Sequence, residues 1–155
     1  MKILAIDPGS KCGYAVMLDG EPIASGVWDL SARRHEGGGM RFLRLRTYLD
    51  SVRFAGQLDA VFYEEVRRHL GTDAAHIYGG TVAMISAWCE EQRIPYQGIP
   101  VGTIKKTATG KGNSNKDAMM ASAIKRWPSQ YIRDDNQADA LWIGYYGWLS
   151  LGTTP

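Results

Sequence analysis

Between Lys2 and Asp7 stand four apolar residues in an unbroken run, Ile-Leu-Ala-Ile. The run is too short for a helix and bounded by charge, which predicts a buried strand ending in a carboxylate. Pro8-Gly9-Ser10 turns the chain into a second apolar stretch over 13–18, and Asp19-Gly20 is a two-residue hairpin signal leading to a third strand over 22–28. Turns this short force the three strands into an antiparallel meander. Beyond Gly37-Gly38-Gly39, the positions Met40, Leu43, Tyr48 and Leu49 recur at roughly helical spacing and predict a helix to about residue 54.

The second half alternates strands with helices. Residues 59–64 predict a fourth strand that again ends in acid, and 73–92 a long helix with Ile77, Val82, Ile85 and Trp88 among its apolar positions. Gly79-Gly80 weakens that helix and admits the close approach of another backbone. A fifth strand over 94–99 lies between prolines, and 101–107 reads as a short helix. A glycine-rich loop follows over 108–115, where Ser114 or Asn115 caps a helix to Trp127 that Pro128 closes. The last helix, 136–149, is strongly apolar. The order predicts one α/β domain over 1–155 with a mixed sheet, its first three strands antiparallel and the later ones parallel through right-handed crossovers.

Composition narrows the class. A chain of 155 residues can bury a sizeable core, and 45% hydrophobic with 22% charged content excludes a disordered tail or fibrous repeat. The longest apolar run, 81–88, is far below a membrane span, and the opening run is too short for a signal peptide, so a cytoplasmic protein without membrane attachment is expected. Cys12 and Cys89 lack disulfide or metal spacing and read as buried thiols.

Net charge is only +2, but it is unevenly spread. From Arg93 to Arg133 there are eight basic residues against one acid, Asp117, and Arg33, Arg34, Arg41, Arg44 and Arg46 form a second basic run against Glu36. Two such blocks point to a polyanionic partner.

Three acids stand out by position. Asp7 and Glu64 lie at the C-terminal ends of strands, the edge where α/β sheets assemble their sites. Asp139 lies in the first turn of the last helix, four residues from Asp135 and three from Asn136, so that all three share one face. Converging carboxylates repel unless a positive charge sits between them, and hard oxygen donors favour magnesium or manganese. Beside basic surface, such a centre suits phosphodiester hydrolysis.

The motifs Ile6-Asp7-Pro8-Gly9-Ser10, Tyr63-Glu64-Glu65-Val66, Pro100 through Lys105, Gly110-Lys111-Gly112 with Lys116, and Gln137-Ala138-Asp139-Ala140-Leu141 follow one another in the order and spacing of RuvC-type Holliday junction resolvases. The chain resembles the short phage-type branch of that family, within the ribonuclease H-like superfamily, from Lys2 to about Trp148. The resemblance implies a five-stranded mixed sheet flanked by helices, a homodimer, and magnesium-dependent paired nicking of four-way DNA junctions, with manganese able to substitute. It implies that Asp7, Glu64 and Asp139 hold the metal, and that Lys105 and Lys116 act at the scissile phosphate, with Lys106 and Lys111 as further DNA contacts.

The chain departs from the family pattern at two places. Where the family often carries a fourth acid stands Asn136, so the fourth ligand is Asn136 through its carbonyl or else Asp135. Where the well-known bacterial enzymes place an aromatic wedge stands Arg67, and Arg67, Arg68 or His69 would meet the junction centre instead. The neutral Asn136 also keeps open a second class, a catalytically weak protein that binds branched DNA. The long helix at 73–92 is the expected dimer surface, with Gly79-Gly80 for close packing and Ile85 or Trp88 for apolar area.

Overall fold

A computed structural model describes residues 1–69 and 71–152. The opening meander forms as β1 (Lys2–Asp7), β2 (Lys11–Leu18) and β3 (Glu21–Asp29), with Asp19 and Gly20 in the positive-φ conformation that a tight hairpin requires. After α1 (Met40–Phe54) come β4 (Ala60–Glu65), α2 (Thr72–Gln92), β5 (Tyr96–Pro100), α3 (Val101–Thr109), α4 (Lys116–Arg126), a 3-10 turn (Pro128–Gln130) and α5 (Asp135–Gly152). The sheet order is β3-β2-β1-β4-β5; β1, β2 and β3 pair antiparallel, while β1–β4 and β4–β5 pair parallel.

Strand alternation divides the core between the two faces of the sheet. Ile3 and Ala5 of β1, Ala15 and Met17 of β2 and Phe62 of β4 pack with α3, α4 and α5. Leu4, Ile6, Val16 and Val61 pack against α1 and α2 on the other face. The central strand β1 is therefore apolar without a break, as a strand covered on both sides must be.

The first turn of α5 rests on the sheet where β2 offers no side chain. Gly13 stands opposite Asp7 in the β1–β2 ladder, and a Cβ there would fall 2.0 Å from the Asn136 carbonyl oxygen. This contact fixes the height at which α5 begins.

Several expectations are corrected. In α1 the inward residues are Leu45 and Leu49, whereas Met40 and Leu43 are exposed, because the helix meets the sheet along a narrow stripe. The close approach at Gly80 is that of the Phe42 ring from α1, not another backbone, and Gly79 faces open space. Ile85 and Trp88 are completely buried, with the Trp88 indole donating to Asp50, so neither supplies apolar area to a second copy. Ile94 lies just past α2 rather than in a strand, its amide closing the helix end by donating to the Cys89 carbonyl, and β5 starts two residues later. Asn115, not Ser114, caps α4 by accepting from the Ala118 amide at 2.9 Å. Part of the second basic run is neutralised internally: one Arg44 nitrogen donates to both Glu36 carboxylate oxygens, and Arg46 pairs with Glu91.

Two glycine substitutions separate these environments. Gly13→Ala should lower stability by about 1–3 kcal/mol through overpacking against α5. Gly79→Ala, with open space around it, should raise stability by about 0.5–1 kcal/mol through helix propensity. Urea unfolding of the two variants beside the parent chain measures both.

Candidate active site

Side-chain parity carries the acids to one place. Asp7 follows Ile3 and Ala5 on β1, and Glu64 follows Ala60 and Phe62 on β4, all on the face covered by α5. The parallel register of these adjacent strands, with Ile6 beside Tyr63, puts their C-terminal ends side by side. Asp139, one turn into α5, comes down beside them because the helix beds on Gly13. Glu65 has the opposite parity and lies with Tyr63 and Gly98.

Asp7 is only 7% exposed, so its charge state is decided by its neighbours rather than by water. Burial above all, then the charges of Glu64 and Asp139 and a hydrogen bond shared with Glu64, hold its carboxyl well above the usual range. Burial raises Glu64 as well, while the hydrogen bond with Asp7 and then Lys105 pull it back. Asp139 is raised to about 7 by burial, then by Glu64 and Asp135, with Lys105 and Lys116 opposing.

Asp135 behaves differently. Its carboxylate pairs with Lys116 at 2.6 Å, which holds Asp135 below the usual range and raises the lysine. The Asn136 amide donates to Asp134 at 2.8 Å, which fixes the first turn of α5.

The structure thus brings together Asp7, Glu64, Asp139, Asp135, Lys105 and Lys116, with Asn136 packed on Gly13 at their edge. Lys106 is exposed on α3, and Lys111 lies in the loop after it. Arg67 and Arg68 are exposed just past β4, Arg67 within 3.6 Å of Glu65, whereas His69 is half-buried with its ring 4.8 Å from that of Tyr78. Two residues of the site region had no signal in the motifs. Tyr78 bonds to the backbone at the end of β4, and a tyrosine in a helix is ordinary by sequence. Gly13 is a strand-interior glycine, the one available clue to close backbone approach.

The donors are all carboxylate oxygens held toward protonation by burial, with Asp7 and Asp139 raised further by the neighbouring acids, a chemistry that suits a hard divalent cation. Among the described residues no three such groups already converge on one coordination point, and Asp7 and Glu64 share a hydrogen bond. The largely apolar cavity of about 330 Å³ between Tyr14, Trp28 and Tyr48 is on the α1 face, away from these acids.

With this geometry in place, the sheet and its helices are the ribonuclease H-like fold of RuvC. No family model matches the chain, and no curated protein matches its sequence. Among solved structures it is similar to Thermus thermophilus RuvC in complex with Holliday junction substrate, with a TM-score of 0.82 at 20% identity, over 97% of this chain and 96% of that one. It is similar to a second Thermus thermophilus RuvC structure, with a TM-score of 0.77 at 21% identity, over 99% and 98%. The yeast mitochondrial Holliday junction resolvase Ydc2 gives a TM-score of 0.62 at 14% identity, over 96% of this chain and 80% of that one. At these identities the likeness is one of fold.

The raised acids give stability a definite pH dependence. Unfolded, Asp139 releases its proton near the ordinary value of about 3.9; folded, it holds the proton to about 7. The folded state therefore binds more protons in that window, and stability present at pH 4 is lost as pH rises through 7. Thermal melts in EDTA should show Tm falling across this range, and Asp139→Asn should flatten the fall.

Proposed function

We propose that the chain is a divalent-metal-dependent, structure-selective DNA endonuclease that resolves four-way junctions by paired phosphodiester hydrolysis. One observation carries the reading: Asp7, Glu64 and Asp139 lie on one face at one edge of the sheet, buried enough that all three carboxyls are raised, beside Lys105 and Lys116. The likeness to a RuvC bound to a Holliday junction supports it at the level of the fold.

In this reading Asp7, Glu64 and Asp139 hold magnesium, or manganese in its place. Asn136 through its carbonyl is the better fourth donor, because Asp135 would first have to release Lys116. When bound, the metal supplies an activated water and charge stabilisation at the leaving oxygen. Lys105 faces the same acids and steadies the phosphate, and Lys116 joins it from the start of α4. Lys106 and Lys111 meet the DNA backbone, and the exposed Arg67 and Arg68 with His69 approach the junction centre. A two-fold junction needs two incisions and the chain offers one acidic cluster among its described residues, so the acting species is a homodimer. The outer face of α2, which carries Gly79, Ala83 and Ala87, is its candidate surface.

A second reading, a junction-binding protein with weak catalysis, is favoured by the neutral Asn136. A synthetic four-way junction with magnesium or EDTA separates the two. Paired nicks that need magnesium support the nuclease; binding in both conditions without product supports the second reading. Asp7→Asn should reduce cleavage by at least about a hundredfold while binding in EDTA persists. Glu64→Gln should match it, and Glu65→Gln, on the other face, should be milder. Asn136→Asp should lower the magnesium concentration for half-maximal cleavage, whereas no change, with a large loss in Asp135→Asn, would move the fourth ligand to Asp135.

A further inference from the structure

The end of β4 has a backbone problem. Its ladder to β1 stops at Tyr63, opposite Ile6, while β4 continues through Glu64 and Glu65. On the β5 side Glu65 pairs with Pro100, which has no amide to give. Residues two apart in a strand turn their peptide groups to the same edge, so the Glu64 carbonyl and the Val66 amide project together.

One side chain answers both groups. The Tyr78 hydroxyl donates to the Glu64 carbonyl at 2.8 Å and accepts from the Val66 amide at 2.9 Å, as the peptide of a further strand would. Tyr78 lies in the second turn of α2, a helix anchored in the core through Thr81, Ile85 and Trp88. Its ring carries His69, and both line a cavity of about 370 Å³ with Pro8, Gly9 and Ser10, the turn directly after Asp7.

We propose that Tyr78 is a positioning residue: its hydroxyl fixes the backbone on either side of Glu65 and so holds the Glu64 carboxylate beside Asp7, while setting the direction in which Arg67, Arg68 and His69 leave the sheet. The inference rests on the nuclease reading for its consequence in catalysis, but not for the clamp. The hydroxyl ties the loop that would touch the junction centre to the carboxylate that would hold the metal, across one residue, Glu65.

Tyr78→Phe removes the hydroxyl and keeps the ring, so the fold and the contact with His69 should survive. In protein free of metal and DNA, amide exchange at Val66 should quicken by about fivefold. The affinity for Mn2+, titrated by calorimetry on the protein alone, should fall about tenfold, the usual effect of removing a partner behind a ligand. Single-turnover cleavage of a four-way junction should fall with it. Tyr78→Leu, which also strips the ring, should lose no more Mn2+ affinity than Tyr78→Phe. Unchanged Val66 exchange in Tyr78→Phe would overturn the proposal, as would normal Mn2+ affinity in that variant with a loss confined to Tyr78→Leu. A parent chain that cuts no junction, yet shows the exchange and Mn2+ changes, would remove the nuclease reading and leave the clamp standing.

Discussion

Carboxylates gathered out of water are the constraint to which the rest of this structure answers. Asp7 is almost inaccessible, shares a hydrogen bond with Glu64 and feels Asp139 as a third like charge. Each would be more stable apart and hydrated, so the arrangement persists only because the surrounding elements leave it no escape. β1 is buried on both faces and cannot slip by one residue without moving Asp7 from the α5 face to the face covered by α1 and α2. α5 is seated on Gly13 at van der Waals limits, which sets where Asp139 descends. Lys105 opposes the rise in Glu64 and Asp139 without abolishing it.

How much of this is legible in the sequence follows from the range of the forces involved. Strand parity is local, so the ends of β1 and β4 could be read as carboxylates delivered to one edge, and Glu65 assigned to the other face. The hairpin at Asp19-Gly20 and the start of α4 at Asn115 are likewise set within a few residues. What escapes is pairing across long separations. Arg44 looked free for a polyanion because Glu36 lies in a loop whose path the sequence does not specify. Trp88 looked available for an interface, but it is buried and its indole N–H donates to Asp50 on a different helix. Tyr78 escapes for the same reason: its partners are peptide groups fourteen and twelve residues away, and peptide groups leave no trace in composition.

The basic residues divide by what they face. Arg44 and Arg46 serve the fold, Lys116 is shared with Asp135, and Lys105 acts directly on the acids. Lys116 is mostly exposed, so its ion pair adds little to stability and costs little to exchange for another anion. A phosphate arriving near Asp135 would compete for the same ammonium, and release of Asp135 would return a negative charge close to Asp139. An approaching polyanion therefore increases the need for a cation among the carboxylates, because it removes one of the charges that had been offsetting them. On the proposed nuclease reading, substrate and metal would be coupled through Lys116 and Asp135 by electrostatics alone, with no movement of the sheet required.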